Sequence, residues 1–169
     1  MIDLKQEFLK FMSIIELKLK DIGISINSYS IDHVCFRVDN QKDFRLYTNK
    51  FKSLSKVYSM KILHDRKFYI FVLKIPLKYK GIEIPYIELS EPGGSDNYSL
   101  GFQHIEFHSN VNIKDLIKNR DKLDDLLYRS KKSNEVYLKW PDKITNKVTK
   151  KAIITKALLE DNPTIYLND

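Results

Sequence analysis

The chain has 169 residues, 43% of them apolar, and a net charge of +7. That length suits one compact domain able to bury a core without disulfides or structural metals. Its only cysteine, Cys35, excludes an intramolecular disulfide framework and a cysteine-based zinc finger, and fits a reducing, cytoplasmic compartment.

In the opening segment MIDLKQEFLKFMSIIELKLK charges interrupt every apolar run, so neither a signal peptide nor a membrane span is expected. Leu4, Phe8, Phe11, Met12, Ile15, Leu19 and Ile22 recur at helical spacing and predict an amphipathic helix ended by Gly23. In IDHVCFRV (31–38) Val34, Phe36 and Val38 alternate with His33, Cys35 and Arg37, which predicts a strand with one apolar and one chemical face. A helix is expected over 43–54, from Phe44, Tyr47, Phe51 and Leu54. Two strands should follow, turned near His64, Asp65 and Arg66, and then IEIPYIELSEP, a strand on which Ile84, Tyr86 and Glu88 share a face and which Pro92, Gly93 and Gly94 stop.

The order strand, helix, strand, strand, strand then repeats. GFQHIEFHS (101–109) predicts a strand with Ile105 and Phe107 opposite His104, Glu106 and His108, and 113–127 a helix. Further strands are expected around 135–140, 151–156 and 164–167. His64, at a hairpin tip, and His108, near a strand end, read as surface residues. The fold class is α+β: an N-terminal helix and connector (1–30), a first βαβββ module (31–92) and a second (101–169), forming one domain with a curled mixed sheet.

A divalent metal needs neutral imidazoles or carboxylates presented from rigid elements toward one point. His33 and His104 occupy corresponding strands of the two modules, and Glu88 lies on the last strand of the first. A histidine in an alternating strand can also be a hydrogen-bonded structural residue; the equivalent placement of two, with a carboxylate, favours a metal site. The segments DHVCFR, DRKFYIFVLKIP, IELSEPGG, GFQHIEF and DNPTIYL together resemble the YecM-like family of the glyoxalase/bleomycin-resistance/dioxygenase (vicinal oxygen chelate) superfamily, from about Ile31 onward. The resemblance implies two modules curled into a cup around a divalent metal held by His33, Glu88 and His104. The donor set is compatible with zinc, iron, manganese or nickel. It implies the reaction poorly, because this scaffold hosts isomerases, lyases, dioxygenases and metal-free binding proteins.

The superfamily's usual fourth ligand is a carboxylate on the last strand, yet NPTIYLND offers only Thr164, Tyr166 and the terminal Asp169. The last strand is therefore either present without a ligand or missing. Glu106 reads as a catalytic base, a replacement ligand or an ion-pair partner of Arg37 or Arg66. Those two arginines either bind an anionic substrate or neutralise carboxylates. Cys35 is a soft ligand, a nucleophile or inert packing.

Two functions follow. One is a metalloenzyme acting on a small oxygen-rich anionic molecule. The other is a non-catalytic module that holds nucleic acid or another polyanion through residues 129–156, where nine basic residues face only Glu135 and Asp142, an excess equal to the whole net charge. Those lysines equally suit a solvated surface. A homodimer is compatible with either reading, and no membrane partner is expected.

Overall fold

Helix α1 (Leu4–Asp21) begins where Asp3 Oδ1 accepts from the backbone N–H groups of Lys5 and Gln6 at 2.9 and 3.2 Å, satisfying two donors that a helix start leaves unpaired. The computed structural model describes residues 2–93 apart from 22, 24, 29 and 64, residues 100–108, and the backbone of strands at 127–129, 135–141, 148–155 and 164–167. After α1 come strand β1 (Ser30–Arg37), helix α2 (Gln41–Leu54) and strands β2 (Ser55–Leu63), β3 (Arg66–Tyr79) and β4 (Ile82–Ser90). Asn40 caps α2 by accepting from the Asp43 N–H at 2.8 Å. Strand β5 (Gly101–His108) opens a second series of β6 (Leu127–Arg129), β7 (Glu135–Pro141), β8 (Val148–Thr155) and β9 (Thr164–Leu167).

These elements follow the predicted order, with two differences. Strand β3 continues past Pro76 to a turn at Lys80 and Gly81, whose φ angles of 46° and 85° are the pair that a tight hairpin requires. Strand β6 was not expected. The helix predicted over 113–127 lies outside the described residues, except that Leu127 opens β6. Among the described residues, no helix is long and apolar enough to cross a membrane.

The nine strands form one open sheet in the order β6-β7-β8-β5-β1-β4-β3-β2-β9. β1 pairs in parallel with β4 and β5 in parallel with β8, while β1 and β5 meet antiparallel at the centre. Outward from that centre each half presents its first, fourth, third and second strands. β5 to β8 therefore repeat β1 to β4 about a two-fold axis beside the paired residues Val34 and Ile105. This is the expected pair of modules in an α+β fold. Strand β9 stands outside the repeat: it pairs with β2 at the far edge of the first module, and β8 is the last strand of the second. The expectation that 164–167 would close the second module is thereby corrected.

One sheet face holds the core. Val34, Phe36, Phe71, Ile87, Leu89, Phe102, Ile105 and Phe107 are buried with Phe8, Phe11, Met12 and Ile15 of α1 and Phe44, Tyr47 and Phe51 of α2. The Phe102 ring centroid lies 5.7 Å from Phe8 and 5.1 Å from Phe36. Ile84 joins this core instead of sharing a face with Glu88, because the β3–β4 register shifts between Tyr86 and Ile84. α1 also lies against β5 where Gly101 has φ 136°, and a Cβ there would stand 2.6 Å from Glu7 Oε1. Gly101→Ala should destabilise the protein by about 1–3 kcal/mol, read as a lower urea midpoint with an unchanged m-value.

Candidate metal centre

The pairing of β1 with β5 is interrupted twice, and each interruption adds one residue. Between the pairs Ile31↔Phe107 and Val34↔Ile105 the extra residue lies on β1, at Asp32 and His33; between Cys35↔His104 and Phe36↔Phe102 it lies on β5, at Gln103. The two-fold relation carries Asp32 onto Gln103 and His33 onto His104. In an unbroken strand Asp32 would fall on the core face with Val34, and Gln103 with Ile105. The bulges let Ile31 and Val34, and likewise Phe102 and Ile105, belong to the core, leaving each histidine and its preceding residue for the opposite face.

The consequence is a matched pair of supported imidazoles. His33 Nδ1 lies 2.6 Å from Asp32 Oδ2, and His104 Nδ1 lies 3.1 Å from Gln103 Oε1. An unprotonated carboxylate oxygen or an amide oxygen can only accept, so each Nδ1 donates and each Nε2 is presented to the centre. Glu88 reaches the same point from β4: Oε2 is 3.8 Å from His33 Nε2 and Oε1 is 4.0 Å from His104 Nε2. The ligand atoms of His33, Glu88 and His104 all lie within 4.8 Å of one another.

These residues fit a divalent cation. Both histidines are buried, and His33 Nε2 has no hydrogen-bond partner, a costly state unless something bridges it to the neighbouring carboxylates. Ligand atoms on a tetrahedral ion with bonds of 2.0–2.2 Å stand roughly 3.3–3.6 Å apart. The observed spacings, 3.8 and 4.0 Å to Glu88 with all three atoms within 4.8 Å, are wider, so the side chains would close inward on an ion.

The electrostatics prepare the same arrangement. Burial pushes the His33 pKa down, but the hydrogen bond that Nδ1 donates to Asp32 and the charges of Glu88, Glu106 and Asp32 outweigh it and raise the value from 6.5 to about 8. Burial pushes the Glu88 carboxyl up, but the charges of His33, His104 and Arg37 and the Cys35 thiol outweigh it and hold the group below its usual value. Arg37 lies 3.6 Å from Glu88 Oε1, and Cys35 Sγ donates to that oxygen at 3.1 Å.

Of the other residues singled out, Glu106 is beside the centre, with Oε2 3.6 Å from His33 Nε2 and a side chain 21% exposed. Arg37 is there too, set against Glu88. Arg66 is not: its Nε donates to the Glu91 carbonyl at 3.0 Å, its Nη2 donates to the same oxygen, and its guanidinium lies 5.6 Å from the Phe68 ring centre. That engagement places Arg66 at the end of β4, outside the converging triad. The register position corresponding to Glu88 in the second module is Ile153, which brings no donor atom to a fourth site. His64 and the His108 side chain lie outside the described residues. Sequence reasoning missed Asp32 and Gln103, although each directly precedes a histidine.

Without metal, the raised His33 pKa contributes stability that is complete below about pH 6.5 and fades as pH rises through about 8. Metal uptake must displace the Nε2 proton and should strengthen over the same window. Urea unfolding and metal titration between pH 6 and 9 should therefore run in opposite directions; parallel trends would remove His33 from the ligand set.

A solved structure described as a structural-genomics protein, EC4020, matches with a TM-score of 0.74 at 17% sequence identity, covering 92% of this chain and 86% of that one. It shows a shared fold. An uncharacterised protein of Haemophilus influenzae is 28% identical over 87 residues, 52% of this chain and 46% of the relative, so the match spans about half the length of that curated relative. The family described as "YecM protein" matches residues 1–167. The chain therefore belongs to the YecM family, and its paired modules are the glyoxalase/bleomycin-resistance-like fold of that family.

Proposed function

We propose that this protein is a metal-dependent enzyme of the vicinal-oxygen-chelate type, an isomerase, lyase or dioxygenase acting on a small oxygen-rich anionic molecule. The observation that carries the reading is the buried convergence of His33, Glu88 and His104, with His33 Nε2 left without a hydrogen bond. Among the candidate metals are zinc, iron, manganese and nickel, all compatible with imidazole and carboxylate donors.

When bound, the metal would act as a Lewis acid toward negative charge developing on a substrate oxygen. The chain's own residues divide the remaining work. Asp32 and Gln103 fix the tautomers and planes of the two imidazoles. Arg37 and Cys35 hold Glu88 ionised and oriented. Glu106 is the proton-transferring base: it lies beside the centre without belonging to the converging triad, and its partial exposure lets it exchange the proton with solvent.

His104→Ala should abolish metal retention in protein purified without a histidine tag, measured by elemental analysis. Glu106→Gln should retain metal yet lower turnover of the first substrate identified by roughly 10²–10⁴-fold. Loss of metal in Glu106→Gln would make Glu106 a ligand, and unchanged metal content in His104→Ala would sink the metalloenzyme reading.

A further inference from the structure

The two histidines of the centre are held by groups of different chemistry. Asp32 and Gln103 take the same place in the two-fold relation, each directly before its histidine and each beside an Nδ1, at 2.6 Å from His33 and 3.1 Å from His104. An ionised carboxylate offers only acceptors, so Asp32 keeps a hydrogen on His33 Nδ1 whatever stands at Nε2. A primary amide offers an acceptor at one end and donors at the other, in nearly the same shape. Gln103 can therefore serve either tautomer of His104. Two features set the orientation with Oε1 on Nδ1 under tension. Gln103 is 4% exposed, and its Nε2 is buried without a hydrogen-bond partner among the described residues, a state that native interiors seldom keep. With its hydrogen on Nδ1, a neutral His104 also turns the electron pair of Nε2 toward Glu88 Oε1, 4.0 Å away, so that acceptor faces acceptor unless a cation lies between them. Turning the amide over relieves both: Gln103 Nε2 then donates to His104 Nδ1, and the ring hydrogen, now on Nε2, points at Glu88. One N–H bond is lost at Nδ1 and one is formed at Nε2, with water taking and returning the proton, and the charge is unchanged.

We propose that Gln103 is a positioning residue with two settings, its amide oxygen toward His104 Nδ1 when a cation lies between His104 and Glu88, and its amide nitrogen toward Nδ1 when none does. The proposal rests on the metal-centre reading above and adds the regulation of that site. The two halves of the centre differ accordingly: the carboxylate of Asp32 fixes the His33 hydrogen on Nδ1 permanently, whereas the amide of Gln103 lets the ion itself convert His104 into a ligand.

The test is nitrogen NMR of the full chain with isotope-labelled histidine at pH 9, metal-free and with zinc added, the His104 signals being assigned from their loss in His104→Gln. Long-range proton–nitrogen correlations tell which ring nitrogen carries the hydrogen. Wild-type His104 should carry it on Nε2 without zinc and on Nδ1 with zinc. In Gln103→Glu, whose carboxylate only accepts, it should stay on Nδ1 in both conditions, and zinc should bind about 10–100-fold more tightly. Asp32→Asn should transfer the behaviour to His33, moving its hydrogen to Nε2 in the metal-free chain. A hydrogen on His104 Nδ1 in the metal-free wild type, or on Nε2 in metal-free Gln103→Glu, overturns the proposal. If zinc is not taken up while the metal-free assignments are as expected, the amide's control of His104 stands and the metal reading falls; if zinc is taken up and His104 keeps one tautomer throughout, the metal reading stands and the proposal falls.

Discussion

Everything distinctive about this site depends on two single-residue bulges where β1 and β5 meet. An antiparallel pair without them would alternate strictly, and the residue before each histidine would enter the core. With them, the core keeps Ile31, Val34, Phe102 and Ile105, while two consecutive polar residues from each strand leave it together. The histidines thus arrive already hydrogen-bonded through Nδ1, their Nε2 atoms set toward one point. The bulges are stabilised from behind, where Phe36, Phe8 and Phe11 surround Phe102.

The two-fold relation between modules shows where the centre departs from symmetry. Cys35 corresponds to Glu106, and Glu88 to Ile153. One module supplies its carboxylate from the fourth strand, at a position ringed by His33, His104, Arg37 and Cys35. The other supplies it from the first strand, nearer solvent and beside His33. The two carboxylates differ in partners more than in exposure, with side chains 16% exposed for Glu88 and 21% for Glu106.

The same strand parity divides the basic C-terminal segment. A run of lysines reads as a single patch only if one surface presents them all; in β7 and β8 their register positions alternate between the ligand face and the face on which Ala152 and Ile154 pair with Ile105 and Phe107. Lys139 and Lys151 thereby take register positions on the ligand face and Lys150 one on the other, while the remaining basic residues of 129–156, Arg129 apart, lie outside the described residues.

Periodicity alone determined most of the architecture. Helical spacing in residues 4–22 and 43–54, alternation in 31–38 and 101–109, and the repeated order of elements specified two modules on an α+β frame, because a side chain's face follows directly from backbone period. His33, Glu88 and His104 were legible for the same reason, as polar residues opposite apolar ones on equivalent strands. Only the tertiary structure decided the rest. Bulges depend on how two strands far apart in sequence settle their register, so Asp32 and Gln103 carried no local signal of their roles. Arg66 donates to the Glu91 carbonyl, Ile84 crossed to the core, and β9 joined the first module rather than the second. Each of these outcomes is a competition among partners distant in the chain, which alternation along one strand cannot resolve.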